Sequence, residues 1–263
     1  MTDILLETKD IMKTYTLKKK SLFSEGESLQ AVNGVSLQVK KGKTLGIVGE
    51  SGCGKSTFAR TITQLIKPTS GDVIYKGNSI TGLKFSELQS LRKEIQMIFQ
   101  DPYASIDPKK KILQILTEPL DIHKIGTKVE REKKALEMLV KVGLQPEYAS
   151  RYAHEFSGGQ CQRINIARAL MLNPELVVCD EPVSALDVSI QAQVINLLID
   201  LQEEFNLTYL FISHDLNVVR YFCDEIAVMY QGEVIEFGEA EEVYNHPQHE
   251  YTKKLLSAIP GNK

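Results

Sequence analysis

The run Gly49-Glu50-Ser51-Gly52-Cys53-Gly54-Lys55-Ser56-Thr57 puts three glycines, a lysine and two hydroxyls at the spacing of a phosphate cradle. Glycines at 49, 52 and 54 let the backbone curl until successive N–H groups point at phosphate oxygens, and a helix starting directly afterwards turns its positive end to the same point. Lys55 supplies a charge for the β- and γ-phosphates of ATP, Ser56 a hydroxyl for Mg²⁺, and Thr57 support on the α-phosphate side. A glycine-rich turn ahead of an ordinary helix is the plain alternative. Context separates the two: the run follows the apolar strand pattern Thr44-Leu45-Gly46-Ile47-Val48 and precedes the helical spacing Phe58, Ile62, Leu65, Ile66, which stops before Pro68.

A second set of chemical groups closes the run Leu176-Val177-Val178-Cys179-Asp180-Glu181. Asp180 fits the Mg²⁺ shell, directly or through water, and Glu181 is the candidate to polarise an attacking water. By itself a strand ending in two acids says little, because strand ends are commonly acidic; beside a phosphate loop it says more. A third set is Ser157-Gly158-Gly159-Gln160, where the serine and glutamine form a capping box ahead of a helix carrying Ile164, Ala167, Leu170 and Met171 and ended by Asn173-Pro174. Its two glycines leave the helix start bare enough for a phosphate to approach the backbone. One nucleotide does not need two such helix ends in one chain, so this one is expected to face a nucleotide held by another subunit.

Positioning these groups requires strands that end together. Three further apolar runs repeat the pattern of the first: residues 95–99 before Gln100, 176–179 before Asp180, and 207–212 before Ser213-His214. In open α/β sheets ligands bind at the carboxyl ends of strands, so four separated regions are expected to converge on one nucleotide. Between 101 and 155 helical signals dominate, with Ala135, Leu136, Leu139 and Val140 marking a helix over 130–142, which predicts a helical insertion in the sheet domain. Residues 29–39 alternate as a strand does. Residues 225–230 and 233–237, joined through Gln231-Gly232, predict a hairpin in an antiparallel layer. The polar stretch 18–28 with its three lysines reads as a solvated surface loop.

Composition narrows the function classes. The chain has 263 residues, 43% of them hydrophobic, enough for a large α/β domain. With 31 basic and 34 acidic residues it has no global positive field to hold a nucleic acid. Its first ten residues lack the basic start and apolar core of a signal peptide, and no apolar run nears the roughly 20 residues that cross a bilayer, so a cytosolic chain reaching membranes through partners is expected. Cys53, Cys161, Cys179 and Cys223 show no C-x-x-C spacing, which points to incidental thiols rather than a zinc site or disulfide framework.

Phe156-Ser157-Gly158-Gly159-Gln160 resembles the Leu-Ser-Gly-Gly-Gln signature of the ATP-binding cassette (ABC) family, with Phe in place of the leading Leu. The resemblance covers nearly the whole chain and implies a P-loop NTPase (RecA-like) α/β core with an antiparallel β layer, residues 1–100 and 172–263, and an inserted helical subdomain, 101–171. It implies Tyr15 as the aromatic stacked on adenine and Ser184-Ala185-Leu186-Asp187 as a dimer-contact loop, although that loop also reads as a turn and helix cap. It implies His214 as the switch histidine, and Gln100 as the glutamine-loop residue shared between catalysis and the Mg²⁺ shell of Ser56 and Asp180. By the same resemblance two ATPase subunits sandwich two ATP molecules, each phosphate loop being completed by the other subunit's Ser157, Gly158, Gly159 and Gln160.

Asp101-Pro102-Tyr103-Ala104-Ser105-Ile106-Asp107-Pro108, Gln160-Cys161-Gln162-Arg163-Ile164 and the tail His246-Pro247-Gln248-His249-Glu250-Tyr251-Thr252-Lys253-Lys254-Leu255-Leu256 are similar to the oligopeptide and dipeptide importer ATPases, the second of their two subunits in particular. That implies a heterodimer with another ABC ATPase, two transmembrane permease subunits, an indirect extracytoplasmic solute-binding protein, and a place on the cytoplasmic face of the membrane. Some members carry a cysteine-containing extension; here no cysteine cluster lies near Lys263, and no iron–sulfur centre is expected. Importers of nickel chelates or glutathione use similar ATPases, and a non-transport ABC protein is a more distant alternative, since tandem cassettes and heptads are missing.

Overall fold

The computed structural model describes residues 3–16 and 28–258; the lysine-rich loop expected at 18–28 lies, all but its last residue, outside the described residues. In chain order the strands and helices begin with β1 (Ile4–Thr16), β2 (Ser28–Val35), β3 (Gln38–Lys40), β4 (Thr44–Val48), α1 (Lys55–Ile62), β5 (Ser70–Tyr75) and β6 (Asn78–Ser79). They continue with α2 (Phe85–Glu94), β7 (Ile95–Ile98), α3 (Ile112–Ile122), α4 (Lys128–Lys141), α5 (Gly158–Leu170), β8 (Leu176–Asp180) and α6 (Val188–Phe205). The last are β9 (Thr208–Ser213), α7 (Leu216–Phe222), β10 (Glu225–Tyr230), β11 (Glu233–Glu239), α8 (Ala240–Asn245) and α9 (Glu250–Ser257). They fall into two compact units, residues 1–89 with 208–263 and residues 90–207.

The first unit holds two strand systems. The long β1 pairs antiparallel with β2, β3 and β5, and β6 pairs with β5. Separately, β4 lies between β9 and β10, parallel to both. Every residue of β4 and β9 is buried, which explains why both read as unbroken apolar runs rather than alternating ones: a parallel strand is covered on both faces. Helix α1 begins directly on the phosphate loop and ends earlier than its apolar spacing suggests. Gln64 turns left-handed at φ 57°, and Leu65 is left exposed.

The 225–237 hairpin forms, with Gln231 and Gly232 both at positive φ as a type I′ turn requires. Its expected place in an antiparallel layer is overturned, because β10 pairs parallel with β4 and so carries the hairpin into the strands behind the phosphate loop. A hairpin turn fixes only its own antiparallel pair. The outer edge of β10 is claimed by a distant strand, and its interior run of Ile226, Ala227, Val228 and Met229, all buried, suits that central position.

In the second unit β7 and β8 pair in parallel with helices α3 to α6 about them. Helix α4 starts on a reciprocal capping box in which Thr127 and Glu130 exchange backbone bonds of 2.7 and 3.4 Å. It buries Ala135, Met138 and Leu139, whereas Val140 stays exposed, so the covered stripe is narrower than the apolar pattern.

One close approach shapes the strand that leads to the cradle. A Cβ on Gly46 would stand 2.4 Å from Val219 Cγ1 and 2.8 Å from Cys223 Sγ, both on or beside α7. The stiff valine cannot retreat without moving its helix. Gly46→Ala is therefore expected to lower stability by about 1–3 kcal/mol, read as a lower urea midpoint with an unchanged slope.

Candidate functional site

The chemistry-bearing residues gather in two groups, one in each unit. In the first unit the loop 49–54 leaves β4 with φ values of 154°, 84° and 111° at Gly49, Gly52 and Gly54, angles that side-chain-bearing residues avoid. Two of these glycines are also pinned by main chain. A Cβ on Gly49 would lie 2.1 Å from the Met229 carbonyl oxygen, and one on Gly54 would lie 2.0 Å from that of Ala31. Among the described residues nothing lies within 4 Å of where a Cβ on Gly52 would stand, so the tip of the loop is open. The Gly232 N–H donates to the Cys53 carbonyl at 2.9 Å, tying the hairpin turn to the loop.

Lys55 is nearly buried, and its ammonium donates to the carbonyls of Gly49 at 2.6 Å and Glu50 at 3.0 Å, which folds the side chain back over the loop it follows. Helix α1 is capped by Gly54 with no side-chain bond and has no acid in its first turn, so its positive end is not neutralised from within the helix. Burial pushes the Cys53 thiol up, outweighing the nearby Lys55 charge, and keeps it neutral inside the cradle. The parallel register sets Val48 opposite Ser213, so Gly49 and the exposed His214 leave adjacent strands side by side. Tyr15 stands half-buried opposite Leu29 of β2, with the Lys13 ammonium 5.2 Å from its ring centre.

The second group is built by the same device. Ile98 is opposite Cys179, so Gln100 and the Asp180-Glu181 pair emerge beside each other from β7 and β8. Asp180 is buried, while Glu181 adopts φ 47°, a left-handed turn that costs a residue with a side chain of the order of 1 kcal/mol. The Gln100 side-chain amide donates to the Glu181 carboxylate at 3.2 Å and lies 3.4 Å from the Ser184 hydroxyl. Ser184 in turn donates from its hydroxyl to the Glu181 carbonyl at 3.1 Å and from its backbone at 3.3 Å. The sequence places Ser184 in a dimer-contact or capping loop; its hold on the Glu181 backbone has no short sequence signal. Helix α6 begins at Asp187 without a side-chain cap bond.

At the start of α5 the capping box is present: Ser157 N–H donates to Gln160 Oε1 at 3.0 Å and Gln160 N–H to Ser157 Oγ at 3.4 Å. Its glycines serve packing as well as openness. A Cβ on Gly159 would meet Ile190 Cγ2 at 2.5 Å, so α5 and α6 approach too closely there for a larger residue. The preceding residue is anchored too, since the Tyr103 hydroxyl donates to the Phe156 carbonyl at 3.0 Å, while Asn165 and Arg168 bond the carbonyls of Pro102 and Ser105 at 2.9 and 2.6 Å. The stretch after Gln100 and the helix that starts at Gly158 are thus stitched together within one unit.

Oxygen donors suited to a hard cation are present as Ser56 on the first turn of α1 and Asp180 at the end of β8. Among the described residues no three histidines, cysteines or acids cluster as a metal site, and none of the helices is long and apolar enough to cross a membrane. All four cysteines are buried; burial moves the Cys179 thiol far above its usual value.

Residues 32–184 match the family model described as "ABC transporter". The chain is 55% identical, over 98% of its length and 79% of the relative's, to the oligopeptide transport ATP-binding protein AppF of Bacillus subtilis (strain 168). It is 54% identical to the dipeptide transport ATP-binding protein DppF of Haemophilus influenzae, over 95% of this chain and 76% of that one. Among solved structures, a dimeric post-hydrolysis state of the ATP-binding cassette MJ0796 with ADP and Pi superposes with a TM-score of 0.79 at 33% identity, covering 90% of this chain and 99% of that one.

The cradle's geometry gives a sharp expectation for Gly54→Ala. The added methyl conflicts both with φ 111° and with the Ala31 carbonyl, so the loop must open. Nucleotide affinity should fall by more than tenfold in equilibrium titration, whereas the same substitution at Gly34, also left-handed at φ 66° but with nothing among the described residues within 4 Å of a Cβ, should leave affinity unchanged.

Proposed function

Since the chain belongs to the ABC transporter family, we propose that it is the ATP-hydrolysing subunit of an importer of oligopeptides or dipeptides, working beside a second ATPase subunit and two membrane permeases. The observation that carries this reading is identity of 51–55% over nearly the whole chain to the ATP-binding subunits of oligopeptide and dipeptide transporters. The two subunits form a heterodimer at the cytoplasmic face of the membrane, and the solute-binding protein acts on them only through the permeases. The helical stretch 101–171 serves as the subdomain that passes motion to those permeases.

Within this reading residues 49–57 hold the phosphates, Lys55 turning its charge from the loop carbonyls toward the β- and γ-phosphates, and Tyr15 stacks on adenine. Ser56, Asp180 and the carbonyl oxygen of Gln100 would hold Mg²⁺, whose charge offsets that gathering on the phosphate oxygens. Each donor suits a cation singly: Ser56 and Asp180 offer oxygens at element ends, and the Gln100 amide nitrogen faces Glu181 and Ser184, which leaves its oxygen as the end for a cation. Glu181 accepts a proton from the attacking water once its carboxylate exchanges the Gln100 amide for that water. His214, directly after the strand beside the one that leads to the phosphate loop, contacts the γ-phosphate side. Ser157, Gly158, Gly159 and Gln160 complete the nucleotide held by the other subunit, so turnover depends on closure of the dimer.

A second reading is favoured by one relative. The chain is 48% identical to a glutathione import ATP-binding protein of Pectobacterium atrosepticum, over 97% of this chain but 41% of that one. The permeases and binding protein choose the cargo; co-purified membrane subunits and transport of labelled peptides against glutathione decide between the two.

Replacing Glu181 by Gln keeps the side chain's size and removes its basicity. In the assembled ATPase pair, the Glu181→Gln turnover number is expected to drop by about 10²- to 10⁴-fold with ATP affinity retained. Equal rates for variant and wild type would remove Glu181 from this role.

A further inference from the structure

The tail 246–256 likens this chain to the peptide importers, yet the mechanism above gives it no task. In the fold it reaches the phosphate loop. The Glu50 N–H, at the loop's entry, donates to the Tyr251 hydroxyl at 3.0 Å. Tyr251 sits on the first turn of α9, is buried, and packs its ring 4.3 Å from that of Tyr230 at the end of β10. The tyrosine therefore fills the space between the hairpin behind the loop and the loop itself.

Three bonds set where that hydroxyl lies. The Glu236 carboxylate of β11 accepts from the backbone of Gln248 at 2.7 Å and of His249 at 3.0 Å, fastening the turn that enters α9. His249 then caps the helix, its Nδ1 accepting from the Tyr251 N–H at 3.1 Å. Burial pushes the Glu236 carboxyl up, and the Gln248 amide leads the donors that more than reverse this, leaving it below the ordinary carboxylate range. Burial also raises the Tyr251 hydroxyl, which stays neutral and accepts from Glu50 while keeping its own proton.

We propose that residues 246–256 form a clasp on the phosphate loop, with Tyr251 as a positioning residue whose hydroxyl fixes the Glu50 amide and so the entry of the nucleotide cradle. Lys55 donates to the Gly49 carbonyl, which shares a peptide unit with the Glu50 N–H, and to the Glu50 carbonyl that follows, so the lysine and Tyr251 hold the same stretch of backbone. Freeing the amide loosens the seat of the lysine without touching Glu181, and the effect belongs to ATP binding rather than to the chemical step.

The clasp rests on the ATPase reading, and the assay separates the two. Wild-type turnover in the assembled ATPase pair tests the reading; the ratio of Tyr251→Phe to wild type tests the clasp. Tyr251→Phe is expected to raise the KM for ATP about three- to tenfold, the worth of one backbone hydrogen bond, with kcat within about twofold. Amide hydrogen exchange should quicken at Glu50 and stay unchanged in β9. Tyr244→Phe is the control: that hydroxyl donates to the Asn217 side chain on α7 rather than to the loop, and its loss should leave KM unchanged. Should Tyr251→Phe not fold, Glu236→Gln carries the test with a smaller rise in KM in the same direction. Unchanged KM together with unchanged exchange at Glu50, in a pair that still turns over ATP, would overturn the clasp.

Discussion

The first unit depends on a conflict between backbone and side chain at three glycines. The cradle can curl only through left-handed torsions, and at Gly49 and Gly54 the place of a Cβ is already taken by a carbonyl oxygen of Met229 or Ala31. Those carbonyls belong to β10 and β2, strands that come from opposite ends of the sequence. The loop's shape is thus held by distant backbone as much as by its own composition, and the strands must be in place before it can be a cradle. Backbone contacts of this kind tolerate no compromise, because neither partner has a rotamer to change.

Parallel pairing then does the work of assembly. A parallel strand ends where its neighbour ends, so each register match delivers two functional residues to one edge: Val48 with Ser213 brings the cradle beside His214, and Ile98 with Cys179 brings Gln100 beside Glu181. Full burial of β4, β8 and β9 protects that register, since a slip would move buried groups rather than merely exchange two faces. At the end of β8 the strain appears in a residue with a side chain, Glu181, and Ser184 holds it from below with two bonds to its carbonyl. A strained acid fixed in this way loses little freedom when it acts, which suits a group that must meet a water at one angle.

Much of this was legible because local rules point the same way. The cradle's spacing, the unbroken apolar strands and the capping box at Ser157 are each properties of a short window, and the structure shows the strands and the box where the sequence placed them. What escaped was non-local. Nothing in 225–237 tells which strand takes the free edge of β10, so the sequence of a true hairpin points to the wrong layer. The two signature glycines looked alike, yet only Gly159 lies where a methyl would strike Ile190, a residue 31 positions onward in the sequence. The link from Tyr251 to Glu50 spans 201 positions and could not be read from either segment.

That last link shows why a family-like tail can matter without any chemistry of its own. A phosphate cradle needs backbone N–H groups aimed outward, and each amide engaged from behind has fewer directions in which to swing. The hairpin engages the loop at Cys53 and α9 engages it at Glu50, one on each side of the open position at Gly52. The free edge of the cradle is therefore narrow and flanked by fixed points. Ordering before the ligand arrives spares the binding step the cost of freezing the loop. A helix whose tyrosine holds a loop amide can tune affinity for ATP while leaving Glu181, in the other unit, to set the rate. The segment that marks the chain's likeness to peptide importers thereby adjusts how readily the subunit loads, a quantity that can change without altering the catalytic groups.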